Sequence, residues 1–169
     1  MLEEIRQRLD RVYSYFTDHT FPDLEDVSNW FDYLNDIKTI QGNFNNDISF
    51  LATLLAKKYL EKRFEYNKFN AADKPQGAPG LDIDLRLPDG RRLVGEIKTT
   101  KPYKPNDLGA QQKNSFTNDF WKLSKANADI KLFLLTEPRT YELMKKDKYK
   151  SQLNGVRVVL LPTGEEFRA

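Results

Sequence analysis

A short turn between two alternating runs of residues constrains the fold of this chain more than any other feature. Residues 88–90, Pro-Asp-Gly, separate the runs 81–87 and 91–99. Glycine at the third loop position can adopt the left-handed conformation that a three-residue hairpin loop requires. This predicts a β-hairpin in which Leu87 lies opposite Arg91. The register places the leucines and isoleucines of both runs on one face, which belongs in a core.

The other face of the predicted hairpin concentrates charge. In the same register Asp82 lies opposite Glu96, and Lys98 follows two residues later on that face. Facing residues have Cβ atoms roughly 4.5–5.5 Å apart, a distance at which two carboxylates repel each other. A divalent cation offsets this repulsion, and ligands that are all oxygen favour Mg²⁺. Lys98 could then position or help to deprotonate the attacking water and stabilise charge that grows on a phosphate.

An ordinary amphipathic hairpin with a solvated polar face is the alternative interpretation, because short patterns of this kind also arise by chance. The converging acids and the Pro- and Gly-rich segment 74–80 before Asp82 favour a catalytic site. Asp84 lies on the same face and is either a further metal ligand or a structural residue.

Composition excludes several classes of chemistry. The chain of 169 residues has no cysteine and a single histidine, His19. Disulfides, thiolate zinc sites and cysteine nucleophiles are therefore excluded, and histidine-dependent chemistry would rest on His19 alone. No apolar run approaches the roughly 18 residues of a membrane helix, so we expect a cytoplasmic protein without a membrane partner.

Charge is distributed unevenly along the chain. Residues 1–50 carry four basic against ten acidic side chains, a net charge of −6, and the remaining residues carry 23 against 15, a net charge of +8. A basic C-terminal part could face a polyanion such as DNA, although surface variation of this size is also ordinary.

Hydrophobic periodicity predicts the other elements. It also assigns Trp121, which falls on a helical apolar face, to the core rather than to a base-stacking surface. We expect helices over 2–17, 24–39, 47–63, 113–127 and 139–148, buried strands over 130–136 and 156–161, and loops over 65–80 and 101–110. This order predicts a mixed α/β (α+β) fold with a four-stranded mixed sheet flanked by helices. Residues 1–45 are expected to form an N-terminal helical extension and residues 46–169 the core domain.

Two motifs of the hairpin resemble the PD-(D/E)XK, restriction-endonuclease-like nuclease superfamily. They are residues 80–84, Gly-Leu-Asp-Ile-Asp, and residues 95–100, Gly-Glu-Ile-Lys-Thr-Thr. The resemblance covers about residues 47–161 and includes the order helix, hairpin, helix, strand. Leu81 stands in place of the proline of the hallmark, and Thr53 lies near the position where many relatives carry a glutamate.

The resemblance implies a restriction-endonuclease-like core that hydrolyses phosphodiester bonds of double-stranded DNA with Mg²⁺, for which Mn²⁺ substitutes. It implies that Asp82, Glu96 and Ile97 bind the metal and that Asp82, Glu96 and Lys98 form the catalytic core. In restriction endonucleases of this superfamily a polar residue at the start of the following helix often assists the site, which here points to Gln112.

Further DNA contacts are expected beside the hairpin. The loop after its second strand carries Lys101, Tyr103 and Lys104, and the next helix begins near Lys113. Side chains of such basic loops often contact the phosphate backbone. A flexible surface loop and a solvated helix start are the alternatives.

A type II-like restriction endonuclease, or its catalytic domain, is the function that these observations favour. Because a cut through both strands needs two active sites, we expect a homodimer, built at least partly from residues 1–40. The alternatives are a catalytically inactive nuclease-fold module that binds DNA or serves a structural role, and a repair, junction or transposon nuclease of the same superfamily.

Overall fold

The computed structural model describes residues 1–64 and 80–169. The predicted loop 65–80 lies outside the described residues except for Gly80. The described elements are α1 (Leu2–Asp18), α2 (Val27–Gln41), α3 (Phe44–Arg63), β1 (Ile83–Arg86), β2 (Arg92–Lys98), α4 (Ala110–Lys125), β3 (Ile130–Leu135), α5 (Pro138–Met144), α6 (Asp147–Lys150), β4 (Arg157–Leu160) and β5 (Glu165–Arg168), with a 3₁₀ turn, Ser151–Leu153, after α6.

The strands of the described chain form one mixed sheet in the order β1-β2-β3-β4-β5. Strands β2, β3 and β4 are parallel, and β1 and β5 run antiparallel to their neighbours. The mixed α/β class is confirmed, but the prediction of four strands was wrong, because the sheet has five. The missed strand β5 reads Glu-Glu-Phe-Arg, which shows too little apolar alternation to predict a strand. A turn at Gly164, whose φ is 75°, returns the chain so that β5 pairs with β4.

The predicted register of the hairpin is confirmed. Ile83 pairs with Gly95 and Arg86 with Arg92. In the turn, the Gly90 N–H donates to the Leu87 carbonyl at 2.9 Å, and the φ of Gly90 is 86°. A residue with a Cβ would be strained in that left-handed conformation, so this glycine helps to fix the register.

Hydrophobic clusters cover both faces of the sheet. On one face α3 packs against a cluster that includes Ala56, Leu60, Ile83, Leu93, Leu132, Leu134 and Val159. On the other face α4, α5 and α6 pack against a cluster that includes Val94, Phe116, Phe120, Leu123, Phe133, Leu135, Tyr141 and Val158. Residues two apart in a strand share a face, so Glu96 and Lys98 lie on the α4 face with Val94. The β2 half of the hairpin's polar face is therefore covered, whereas Asp82, Asp84 and Arg86 are exposed.

Several of the predicted helices differ from those observed. Helix α2 begins at Val27 rather than near 24, and α3 begins at Phe44 rather than near 47. Helix α4 begins at Ala110 rather than near 113. The helix predicted over 139–148 is split into α5 and α6, because Lys146 between them is extended, with φ −70° and ψ 140°. No helix in the described part of the chain combines the length and apolar character needed to cross a membrane.

Two compact units make up the described chain, Met1–Asp47 and Ile48–Ala169. Within the first unit, α1 and α2 pack through aromatic rings around the buried Tyr33. Its ring centroid lies 5.1 Å from that of Tyr15 and 6.1 Å from that of Trp30. The sheet and the residues predicted to be catalytic belong to the second unit.

Candidate functional site

Asp82 is held beside Glu96 by the backbone of β2. It lies one residue before β1, at the register position opposite Glu96. Its Oδ2 accepts a hydrogen bond from the Ile97 N–H at 2.8 Å. Asp82 is exposed, whereas only 2 % of Glu96 is exposed. One carboxyl group of the pair therefore faces solvent and the other lies beneath α4.

Burial and neighbouring acids strongly perturb Glu96. Burial, followed by the charge and hydrogen bond of Asp82 and the charge of Asp119, raises the pKa of its carboxyl to about 8, although a hydrogen bond from Lys122 opposes the rise. A shift of this direction means that burial and the neighbouring carboxylates outweigh the contact with the cationic Lys122. Perturbed carboxyl groups of this kind concentrate at functional sites, although structural networks produce them too.

Lys98 is anchored by side chains of α4. Its Nζ donates to Ser115 Oγ at 2.8 Å and lies 2.6 Å from Asp119 Oδ2. That Asp119 oxygen is buried and makes no aligned hydrogen bond among the described residues, so its contact with Lys98 is an ion pair. These two contacts hold the amine of Lys98 against α4, so it does not move freely in solvent.

Lys122 joins the two buried acids. Its Nζ lies 3.1 Å from Glu96 Oε1 and 3.2 Å from Asp119 Oδ1. Asp119 is only 4 % exposed. The resulting cluster, which we call the acid–lysine cluster, contains three carboxyl groups and two ammonium groups from Asp82, Glu96, Lys98, Asp119 and Lys122.

Sequence reasoning assigned no role to three α4 residues at the site, of which Asp119 and Lys122 belong to the acid–lysine cluster. Ser115, Asp119 and Lys122 lie four and three residues apart, so they share one side of the helix. Asp119 also falls among the apolar residues Phe116 and Phe120, which is an unusual place for an unpaired acid. That placement was the available signal.

The chemistry of the donors fits a divalent cation. Asp82 and Glu96 offer carboxylate oxygens, and Mg²⁺ takes one or two carboxylates while keeping several waters. Ile97 can offer only its backbone carbonyl, which points to the same side of β2 as the N–H that donates to Asp82. Within residues 1–64 and 80–169 no group of three His, Cys, Asp or Glu side chains is arranged to hold a metal ion. The candidate ligands are therefore the carboxyl pair and this carbonyl.

Gln112 was predicted to assist catalysis, but its contacts are those of a structural residue. Its Oε1 accepts from the N–H groups of Gly109 at 2.9 Å and Tyr103 at 3.0 Å. Its Nε2 donates to the Lys101 carbonyl at 2.7 Å. The amide thus fastens the loop before α4 to the first turn of that helix, and three of its four hydrogen-bonding positions are already used.

The residues predicted to contact DNA lie on and beside this loop. Lys101 and Lys104 are exposed, and Tyr103 is 85 % exposed. Lys113 differs, because its Nζ is paired with Asp107 Oδ2 at 2.7 Å.

Asp107 gathers several donors at the centre of the loop. Lys148 Nζ lies 2.8 Å from its Oδ1, and the hydroxyl of Tyr149 donates to the same oxygen. Hydrogen bonds from Lys113, Lys148 and Tyr149 hold the pKa of Asp107 far below its usual range. This carboxylate neutralises basic groups that a phosphate would otherwise attract.

The structure bears on two further residues. Asp84, considered as a metal ligand, accepts from Arg92 Nε at 2.9 Å and from its terminal nitrogen at 2.7 Å. These contacts favour the structural role that was the alternative. Trp121, which helical periodicity assigned to the core, is 62 % exposed, because α4 packs through the face that carries Phe116 and Phe120.

No protein-family model, curated protein or solved structure matches this chain. The likeness to PD-(D/E)XK nucleases therefore depends on the two hairpin motifs and the order of elements. What the chain can do has to be inferred from the geometry of the acid–lysine cluster.

Proposed function

We propose that this chain is a Mg²⁺-dependent DNA endonuclease with a restriction-endonuclease-like core, acting in the cytoplasm. Asp82 and Glu96 bind the cation with the carbonyl of Ile97, and Lys98 acts at the phosphate. The observation that carries the proposal is Glu96, a buried carboxyl group that faces Asp82 and lies two residues from Lys98. Burying one carboxyl group of a facing pair is costly without a cation.

Each residue has a distinct part in the proposed reaction. When bound, Mg²⁺ supplies Lewis-acid stabilisation of charge on the phosphate. Asp82 is exposed and fixed by the Ile97 N–H, so it can receive the cation without rearrangement of the sheet. Lys98 directs an ammonium group toward charge that grows in the transition state, where a positioned donor contributes most.

A type II-like restriction endonuclease is the specific role we favour, with double-stranded DNA as substrate. The segment after residue 50 carries a net charge of +8, which favours binding to a polyanion. The exposed Lys101, Tyr103 and Lys104 are the proposed backbone contacts.

A homodimer is part of the proposal, because double-strand cleavage needs two sites. Large apolar side chains of the unit Met1–Asp47 are exposed in that unit, among them Tyr13, Phe21, Leu24, Val27, Phe31 and Leu34. Sedimentation equilibrium should give a dimer for the full chain and a monomer for a chain starting near residue 41. A monomeric full chain that still makes coordinated double-strand cuts, without dimerising on DNA, would contradict the dimer.

Cleavage assays test the enzymatic proposal directly. The purified chain should cut plasmid DNA in Mg²⁺ or Mn²⁺ and be inactive in EDTA. Asp82→Ala should lower the rate by about 1,000-fold or more while the fold survives. Asp84→Asn is the matched control, since this acid lies two residues after Asp82 but pairs with Arg92. An Asp82→Ala protein that cuts at the wild-type rate would contradict the assignment.

The same assay separates the related roles. Branched and single-stranded DNA are offered beside the plasmid. Preferential cutting of a branched substrate would replace the restriction role with junction or repair cleavage, and leave the site assignment intact.

A catalytically inactive DNA-binding module is the second candidate, and one observation favours it. Lys98 and Lys122 are both satisfied by protein acceptors, so the acid–lysine cluster is nearly balanced in charge without a metal. This candidate predicts DNA binding without cleavage in any divalent cation. It also predicts that Asp82→Ala leaves DNA affinity unchanged.

A further inference from the structure

Helix α4 contributes three polar side chains to the candidate site. Ser115, Asp119 and Lys122 lie on one side of the helix and contact Lys98 and Glu96 of β2. We propose that these three are positioning residues for the reaction, with Asp119 holding both lysines and Lys122 holding Glu96. The inference rests on the proposed nuclease function and adds these three residues of α4 to its site.

The positions of Lys98 and Lys122 both depend on Asp119. Its two oxygens are divided between two amines, since Oδ2 lies 2.6 Å from Lys98 and Oδ1 lies 3.2 Å from Lys122. A buried carboxylate is tolerated only when it is paired. Each lysine side chain has four rotatable bonds, and ordering it costs conformational entropy. The shared carboxylate offsets that cost for both amines at once.

Lys98 needs such positioning because its proposed role depends on where its amine lies relative to the phosphate. A displacement of about 1 Å in a reacting group can lower a rate by about 100-fold. Ser115 and Asp119 approach the Lys98 amine at 2.8 Å and 2.6 Å and so restrict it from two directions. The ring of Phe116, whose centroid lies 5.6 Å from the amine, supports it as well.

Lys122 acts on the other partner of the site. It contacts Oε1 of Glu96 at 3.1 Å. The same carboxyl group is hydrogen-bonded to Asp82, the other proposed ligand. Lys122 therefore sets the orientation of Glu96 while Asp119 fixes Lys122.

A purely structural role for this network is the competing explanation. In that case Asp119 would stabilise the packing of α4 on the sheet and nothing more. Its loss would then lower the temperature of unfolding without changing the reaction of the molecules that stay folded. Measurements on folded protein can separate the two.

Asp119→Asn is the main test, because it removes the charge and keeps the shape. We expect its single-turnover cleavage rate, at saturating DNA and below its unfolding temperature, to fall by about 100-fold, with DNA affinity in Ca²⁺ changed by less than about 3-fold. Lys125→Met, an exposed lysine of the same helix, is the control and should change neither.

Lysine ammonium NMR provides a readout that does not depend on activity. Amines that are bonded and shielded exchange slowly, so Lys98 and Lys122 should give signals in the wild type. Asp119→Asn should lose or broaden both, and Lys125→Met neither. Persistence of both signals in Asp119→Asn, or a cleavage rate within about 3-fold of wild type, overturns the inference.

Two further variants keep the test decisive if Asp119→Asn fails to fold. Ser115→Ala should broaden the Lys98 signal and slow cleavage about 5-fold, and Lys122→Met should slow it about 10-fold. Wild-type rates in both would overturn the inference. A wild-type protein that binds DNA but never cuts would refute the proposed function instead, and the NMR signals would still report on the positioning network.

Discussion

The two faces of the sheet are built from the same strands but carry different chemistry. Toward α3 the strands present Ile83, Leu93 and Leu132, which are fully buried and apolar. Toward α4 the same hairpin presents Glu96 and Lys98, which meet Asp119 and Lys122. The first face gains stability from burial of apolar area. On the second face, charged side chains take positions that apolar residues could fill, so this face gains less stability from burial. Such a loss of stability is typical of a functional site.

Lys98→Ala should give the largest effect on the α4 face. We expect the cleavage rate to fall by about 100-fold to 1,000-fold while DNA affinity changes by less than about 3-fold, because the proposed interaction forms in the transition state. Single-turnover cleavage and DNA binding in Ca²⁺ provide the two measurements. Lys101→Ala is the comparison and should lower affinity more than rate. Equal losses of rate and affinity in Lys98→Ala would make this lysine a phosphate contact only.

Leu93→Ala tests the opposite face and should reverse that pattern. Leu93 is fully buried against α3, so truncation leaves a cavity. We expect the free energy of unfolding to fall by about 2–5 kcal/mol, as for other buried leucines. The cleavage rate per folded molecule should stay within about 3-fold of wild type. A larger loss of rate in fully folded protein would mean that the two faces are coupled and the comparison is too simple.

The hairpin was predictable from sequence because its information is local. A period of two and a turn that needs glycine determine which residues face each other, so Asp82 and Glu96 could be paired in advance. The strand β5 could not be predicted in the same way. Its sequence is polar, and its pairing is determined by β4 and the turn at Gly164.

The α4 half of the candidate site depends on packing between elements. Periodicity indicates that α4 has an apolar side, but the angle of the helix on the sheet decides which polar residues reach β2. Asp119 and Lys122 were therefore missed, and Trp121 was wrongly assigned to the core. The amide of Gln112 suits a phosphate or a backbone equally well, and only the folded loop shows that it bonds Tyr103 and Lys101.

Glu96→Gln should show that the buried acid makes the free energy of unfolding depend on pH. The pKa of this group rises from its ordinary 4.5 to about 8 in the folded protein. Between these values the folded state keeps a proton that the unfolded chain has released. The contribution of Glu96 to the free energy of unfolding is therefore complete below pH 4.5 and is lost as pH rises through about 8.

Urea unfolding across this pH range measures the effect of Glu96→Gln. The amide has no proton to release, so we expect its free energy of unfolding to decline less with pH, by about 1–3 kcal/mol at pH 9 relative to the wild type. Glu61→Gln, an exposed acid on α3, is the control and should leave the profile unchanged. Parallel profiles for wild type and Glu96→Gln would mean that Glu96 is ionised in the folded protein at neutral pH.

Asp107→Asn should give the smallest effect and extends the comparison to the rim of the α4 face. Asp107 holds Lys113 and Lys148 at 2.7 Å and 2.8 Å, so its charge offsets theirs. If these lysines contact phosphates, the variant should bind DNA about 2–5-fold more tightly, and the slope of log affinity against log salt should steepen by about 1. Binding measured over a series of salt concentrations gives both quantities.

Asp129→Asn, an exposed acid that caps the Arg92 N–H, controls for the change in net charge. Weaker binding with an unchanged slope would instead show that Asp107 serves to order the loop, and that the lysines around it are structural.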